Sequence, residues 1–416
     1  MTTTTLRAHS TPNSDEELIC AIDIGATRIR VMAGRAAGDG TLRFAGYGES
    51  AAAGLRKGAV AELDRLVAAI HSAVEQAERA ANEEIESAVV AVGGAHVRGI
   101  NSRGGILLGS RARDVGREDV RNAVDHARSV QLPPDRQVLH LLPKQFILDE
   151  QEGIQDPIGM TGTQLEADLH LVTSSISATQ SLITAVNKAG MTVADTVFEA
   201  VAAAESLSGM TESERILGCA VVDIGAASTN VIAYNDGGVI HTASLAIGGD
   251  HFTSDIAMGL RTPLPDAERL KCIYGCAVVV RVPAENDIEV PSGNISPRIV
   301  SQRYLAEIIE PRTRELFELV RDSLRTAGVL DSLGAGVFLT GGGARLAGIE
   351  EICEQVLRCA VRIEAADPIL RMPDDLVMPE TTTVTGLLAY AHRTRNAKQS
   401  SERGLKAKLR QLLAGA

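Results

Sequence analysis

The chain has 416 residues, 45% of them apolar, only 3% aromatic and none tryptophan, so any core must be filled by aliphatic and alanine side chains. A formal charge of −12 excludes a general nucleic-acid binder, which needs a basic face to meet phosphate. The six cysteines form no Cys-x-x-Cys pair and lie mostly in apolar runs, so free thiols are expected rather than zinc or disulfides.

Residues 1–17 are polar and Thr-rich, without a signal-peptide core, and are expected to be disordered. No run is apolar and long enough to span a bilayer, so a cytoplasmic chain is expected. Residues 18–50 read as strand, turn, strand, a Gly-Asp-Gly hairpin at 38–40, and a third strand. A helix is predicted over 61–81, where Leu63, Leu66, Val67, Ile70 and Val74 recur at helical spacing. Ser87–Val92 is a buried strand ending in Gly93-Gly94. Together these make a β-β-β-α-β half-domain.

Residues 95–177 interrupt it with a small α+β insertion: a helix at 117–130, strands near 137–149 and 166–176, and a turn-rich connection at 152–162. The first pattern then returns. A helix ends at Gly190, a strand reaches about Val197, and an Ala-rich helix starts near Glu199. Glu199 either orients water for attack on a phosphate or is a helix-start carboxylate favoured by the dipole; the sequence does not separate the two.

The second half opens at 216. Helices are predicted at 251–260, around Ala267–Lys271, and at 301–326 with Leu305, Ile308, Ile309, Leu316 and Leu319 inward. Pro311 is expected to kink or break the last of these. Residues 278–300 are strand-like and Pro-rich. A short strand at Val337–Thr340 runs into Gly341-Gly342-Gly343-Ala344-Arg345, followed by a helix from about Ile349 and a last helix after Val384-Thr385-Gly386.

The organising feature is a repeated turn. Cys219–Tyr234 reads as strand, small-residue turn and returning strand, and Ala21–Val31 echoes it two hundred residues earlier. Turns with few side chains let backbone N–H groups approach a phosphate, with Thr27, Ser228 and Thr229 adding hydroxyl donors. Asp23 and Asp223 would repel phosphate directly, so their expected work is to hold a hydrated Mg²⁺. Two such turns suggest a duplicated domain with a nucleotide in the cleft between.

Residues 393–403 read as a linker and 404–414 as a basic amphipathic helix. At 100° per residue, Leu405, Leu409, Leu412 and Leu413 fall within an arc of roughly 100°, flanked by Lys406 and Arg410 on one side and Lys408 on the other. Eleven residues make about 16 Å of helix, too short to cross a membrane but suited to its interface.

The order of the three Gly-rich turns, at 23–27, 223–229 and 340–345, resembles the actin-like, ribonuclease H-like two-lobed nucleotide-binding fold. The insertion narrows this. Phe146-Ile147-Leu148-Asp149, Gly153-Ile154, Asp156-Pro157, Gly159-Met160, Gly162, Leu165-Glu166 and His170-Leu171-Val172-Thr173 closely resemble the FtsA family of bacterial cell-division proteins. His241-Thr242, Thr253–Ala257 and Ile309–Arg312 add to the resemblance, which covers about residues 18–392.

The resemblance implies subdomain 1A at 18–94 and 178–215, an inserted subdomain 1C at 95–177, 2A at 216–250 and 301–392, and 2B at 251–300, with a flexible linker at 393–403 and a membrane-targeting helix at 404–416. It implies ATP and Mg²⁺ held by Asp23, Gly25, Ala26 and Thr27, by Asp223, Gly225, Ala226, Ala227 and Ser228, by Gly248 and Gly249, by Glu268 and Lys271, and by Gly341, Gly342, Gly343 and Arg345. It implies head-to-tail polymers, the FtsZ C-terminal peptide bound near Arg298, Arg303 and Glu307, recruitment of later divisome proteins, and a peripheral place on the cytoplasmic face of the inner membrane at the division site. A structural adaptor with at most weak ATPase activity is expected. A PilM-type pilus-assembly platform and, further off, a small-molecule kinase of the same fold are the alternatives. The second turn departs from the family's Asp-x-Gly-Gly-Gly-Thr at Ala226 and Ala227, whose Cβ atoms would penalise a positive φ, and Arg28 stands where a Lys is common.

Overall fold

The computed structural model describes residues 16–397 except 39, 57, 208, 293–294 and 368. The amphipathic stretch 404–416, most of the linker and nearly all of the N-terminal segment lie outside the described residues.

The first lobe is a five-stranded sheet. β1 (Glu17–Ile24), β2 (Arg28–Ala36) and β3 (Leu42–Ala51) are antiparallel neighbours; β4 (Ser87–Val92) joins β1 in parallel, and β8 (Thr192–Phe198) joins β4 in parallel. α1 (Leu63–Ala81) covers one face with Leu66, Ile70, Ala73, Val74 and Ala77 buried, the stripe its spacing predicts.

The second lobe repeats the scheme. β9 (Cys219–Ile224), β10 (Thr229–Asn235) and β11 (Gly238–Leu245) are antiparallel, β14 (Gly336–Thr340) joins β9 in parallel, and β15 (Val361–Ile363) joins β14 in parallel. The order β3-β2-β1-β4-β8 therefore recurs as β11-β10-β9-β14-β15, which shows the duplication in the backbone itself. Around it lie α5 (Gly249–Leu260), α6 (Leu264–Tyr274), the hairpin of β12 (Asp287–Ser292) and β13 (Ile295–Ser301), α7 (Gln302–Thr326) and α8 (Ile349–Leu357).

The insertion holds three long strands, β5 (Arg98–Leu107), β6 (Arg136–Leu148) and β7 (Gln164–Ser175), with α2 (Arg117–Arg128) packed on β5 and β7. α3 (Ile176–Lys188) leads back to the first lobe, and α4 (Glu199–Glu205) follows β8. β5 is absent from the sequence-based reading. It pairs along its length with β7 and touches β11 at Arg98 and Ala243, so the insertion continues the second lobe's sheet although the first half of the chain encodes it.

Three other expectations are corrected. α7 runs unbroken through Pro311, which lies on the exposed face, where water can meet the carbonyl left without an N–H partner. Leu319 is 41% exposed rather than inward; Phe317, Val320 and Leu324 face the core in its turn of the helix. Val384-Thr385-Gly386 lie inside the last helix, which spans 382–397 and so takes in the first residues assigned to the linker. That helix presses on α4, and a Cβ on Gly386 would stand 1.7 Å from the Ala202 carbonyl oxygen.

The lobes share a core. Ala21 and Met32 of the first sheet, Val221 and Phe338 of the second, Phe198, and Leu387 and Leu388 of the last helix form one buried cluster beneath the cleft. With few aromatics available, Phe198, Phe252, Phe317 and Phe338 are nonetheless fully buried, and branched aliphatics and alanines fill the remainder.

Candidate nucleotide cleft

The β1–β2 and β9–β10 turns face each other across a cavity of about 540 Å³. Asp23 and Asp223 stand at equivalent positions, paired in register with Arg30 and Asn230, and both are buried. Gly25, Ala26 and Thr27 line one side; Gly225, Ala226, Ala227 and Ser228 line the other. The second turn is closed by a 2.9 Å bond from Gly225 N to Ser228 O, and its outer carbonyls accept from Gly249 N and Asp250 N at the start of α5, both at 2.9 Å. Ala226 and Ala227 are not among the residues at positive φ, so this turn accommodates alanine without backbone strain.

Two sequence assignments shift. Thr229 is buried and its hydroxyl donates to the Ile247 carbonyl at 2.8 Å, so it is not a free donor to the cleft. Gly248 stands behind the turn rather than on its face: a Cβ there would meet the Gly225 and Ala226 oxygens at 2.5 and 2.6 Å. Its smallness lets α5 seat against the turn, while Gly249 itself lines the cavity.

Glu199 is the first residue of α4, and its carboxylate reaches the same cavity between the two aspartates, so it is both a helix-start residue and part of the cleft. Asn230 Nδ2 donates to Glu199 Oε2 at 2.5 Å, and Ser244 Oγ donates to Asn230 Oδ1 at 2.6 Å. A Cβ at position 93 would lie 2.0 Å from Glu199 Oε2, so glycine there leaves room for the carboxylate, which a larger residue would push aside. Burial, then the charges of Asp23 and Asp223, pushes Glu199 up to about 8. Burial and Asp23 push Asp223 up to about 7, against the Thr383 hydroxyl that donates to it at 3.3 Å. Asp23 is also raised by burial, with Arg30 opposing.

The far wall comes from α6 and the triple-glycine loop. Lys271 Nζ pairs with Glu268 at 2.7 Å and donates to Gly249 O at 3.0 Å and Thr253 Oγ1 at 2.9 Å. Burial works to raise Glu268, but hydrogen bonds from Lys271 and Thr253 leave it lowered. Gly341 has φ 82°, donates to the Pro379 carbonyl at 3.1 Å, and leaves no room for a Cβ, which would lie 2.3 Å from Asp223 Oδ1. Gly342, Gly343 and Arg345 also line the cavity, and Arg345 pairs with Glu380.

Sequence reasoning missed Arg30, Asn230, Gly93 as a contact of Glu199, Thr383 and Glu380. Arg30 and Asn230 each lie seven residues after their aspartate. Aligning the two repeats residue by residue would have exposed both.

Of the residues assigned to a partner surface, Arg298 and Glu307 are exposed, and Arg303 is half-buried, its Nε donating to the Val282 carbonyl at 3.2 Å. Around them Val280, Ile299 and Tyr304 are exposed at 85%, 65% and 45%, a concentration of apolar surface on this side of the second lobe. Cys20, Cys219, Cys276 and Cys353 are buried free thiols, whereas Cys272 is exposed and lines the cleft. Among the described residues no helix is long and apolar enough to cross a membrane.

A duplicated α/β fold with paired Asp turns facing one cleft defines the actin-like class. Solved structures agree: the PilM–PilN type IV pilus biogenesis complex (TM-score 0.63, 19% identity, 90% of this chain and 98% of that one), MreB 5 of Spiroplasma citri bound to AMPPNP (0.54, 13%, 94% and 100%) and the MamK double helical filament (0.52, 13%, 90% and 98%). At those identities the likeness shows the fold alone. Sequence goes further. The family described as "Cell division protein FtsA" matches residues 220–386, and "SHS2 domain inserted in FTSA" matches 94–173. Proteins named Cell division protein FtsA are 38% identical over 375 residues in Pseudomonas aeruginosa (90% of this chain, 89% of that one), 35% over 385 in Escherichia coli K12 (91% of each) and 32% over 381 in Bacillus subtilis (91% and 84%). The chain belongs to the FtsA family of cell-division proteins.

Proposed function

We propose that this chain binds ATP with Mg²⁺ in the cleft, assembles head to tail, and ties FtsZ filaments to the cytoplasmic face of the inner membrane at the division site, where later divisome proteins join it. The observation that carries the nucleotide reading is the trio Asp23, Glu199 and Asp223. Three carboxylates, all raised by burial, with Asp23 adding to Asp223 and both aspartates adding to Glu199, face a cavity lined by two phosphate-sized turns. Such a trio is relieved by a cation. Mg²⁺ keeps several of its waters and takes only one or two carboxylates, so Asp23 and Asp223 would hold it through water. Bound there, the ion would neutralise phosphate charge.

The residues of this chain then have distinct work. Gly25–Thr27 and Ala226–Ser228 offer backbone N–H groups and hydroxyls to the phosphates, while the Gly225 N–H closes its own turn. Lys271, Glu268 and the 341–345 loop receive the nucleoside. The fold neighbour MreB 5 is described with AMPPNP and MamK as a filament, which supports nucleotide and self-association here. Glu199, pushed up to about 8 by burial and the two aspartates, reaches the same cavity, and the chain is proposed as an adaptor with at most weak hydrolysis.

The insertion at 95–177 is proposed as the self-association element, the 251–300 region with the start of α7 as the FtsZ-peptide surface, and 404–416 as the membrane anchor. Co-sedimentation with anionic liposomes, with and without FtsZ and Mg²⁺-ATP, tests the whole reading. The chain should pellet with liposomes and bring FtsZ with it. FtsZ left in the supernatant while the chain pellets would remove the tether.

A further inference from the structure

We propose that Arg30 is the first lobe's ligand for the terminal phosphate of the bound nucleotide, an assignment that rests on the nucleotide reading above. The cleft is rich in carboxylates, with Asp23, Glu199, Asp223, Asp250, Glu268 and Glu380 in its lining against three cations, Arg30, Lys271 and Arg345. Lys271 is already engaged by Glu268, Thr253 and the Gly249 carbonyl. Arg345 is paired with Glu380 and has 62% of its side chain exposed. Arg30 stands with the phosphate turns, on the strand that leaves the first of them, and only 15% of its side chain is exposed.

Its partners are incomplete. The Nη1–Asp23 distance of 3.7 Å is too long for a hydrogen bond. Glu49 Oε2 lies 3.2 Å from Nε, yet Nε is buried without a hydrogen-bond partner, because the approach is off the N–H direction. The Tyr47 hydroxyl donates to Glu49 at 2.7 Å, and its oxygen is within hydrogen-bonding reach of Arg30. Nε is sealed from the cleft, so what this guanidinium can offer a ligand is its Nη groups, on a side chain that lines the cavity and is mostly out of water, where a charge-assisted bond to an anion is strong. A phosphate offers paired oxygens to the planar fork of an arginine. The repeat sharpens the contrast: Asn230, at the equivalent position of the second lobe, is neutral and bonded on both sides by Glu199 and Ser244. The nucleotide's outermost phosphate carries the most negative charge, and the cation-holding aspartates stand at this end of the cleft, so Arg30 meets the phosphate that distinguishes ATP from ADP.

Calorimetry with the full chain tests this, using Mg²⁺-ATP, Mg²⁺-ADP and AMP against the wild type, Arg30→Gln and Arg30→Lys. Arg30→Gln should weaken ATP about tenfold or more, ADP by less than about threefold, and leave AMP unchanged. Arg30→Lys, which keeps the charge and loses the fork, should weaken ATP by an intermediate factor and spare the other two. Melting temperatures are read alongside; if the glutamine variant does not fold, the lysine variant decides by the same selectivity. An equal loss for all three nucleotides, or an unchanged ATP affinity, overturns the assignment. A wild type without affinity for any of them brings down the nucleotide reading and this assignment together.

Discussion

Asn230 of the second lobe donates a 2.5 Å hydrogen bond to the Glu199 carboxylate of the first, so the residue that opens α4 is held by the opposite half of the repeat. The contact ties the lobes at the floor of the cleft, where Asp23 and Asp223 also converge. Its energetics depend on pH.

Glu199 binds a proton more tightly folded than unfolded, its pKa rising from 4.5 to about 8. Between those values the folded state holds more protons than the unfolded one, so the nucleotide-free protein loses stability as pH rises through that window. Glu199→Gln should flatten the profile by up to about 1.4 kcal/mol per pH unit and raise the melting temperature at pH 8. Thermal melts from pH 5 to 8 measure it; parallel curves for wild type and variant would contradict the shift.

Gly341→Ala should be more damaging than an ordinary surface change. The backbone there is at φ 82° and the new Cβ would stand 2.3 Å from Asp223 Oδ1. A loss of about 1–3 kcal/mol is expected together with weakened Mg²⁺-ATP binding. Asp223→Ala should weaken Mg²⁺-ATP without that loss, since it removes a desolvated charge. Denaturant titration beside calorimetry separates the two; equal stability losses would mean that Asp223 is structural.

Arg303→Glu should weaken binding of the FtsZ C-terminal peptide while leaving ATP affinity intact. The reversal places a negative charge beside exposed Tyr304 and Glu307, away from the cleft lining. Fluorescence anisotropy with a labelled peptide is the measurement. An unaltered affinity removes Arg303 from the site.

Leu409→Glu, or removal of 404–416, should free the protein from anionic liposomes with folding and ATP binding unchanged. Each basic residue near such a surface is worth about 1 kcal/mol, so one tail binds weakly and many on one polymer bind tightly. Pelleting of the truncated protein with liposomes would exclude the anchor.

What the sequence determined by itself is what depends on neighbours in the chain. The apolar stripe of α1, the run of β4, the paired Asp turns and the triple-glycine loop all follow from local spacing and small residues, and the structure has them within a residue or two. The duplication was legible because the two turns share a pattern. β5 was not: its run contains Gly99, Gly104 and Gly105 and shows no apolar alternation. Those glycines answer to other elements, a Cβ on Gly104 meeting the Ala127 backbone of α2 at 2.3 Å and one on Gly99 meeting Thr242 and His170. The place of Glu199 was likewise decided by tertiary structure, since a helix-start carboxylate looks the same in sequence whether it faces water or a cleft. Only the convergence of β1, β9 and α4 brings Asp23, Asp223 and Glu199 together at one cleft. Burial and, for Asp223 and Glu199, the charge of neighbouring carboxylates push them up, and no local pattern records either effect.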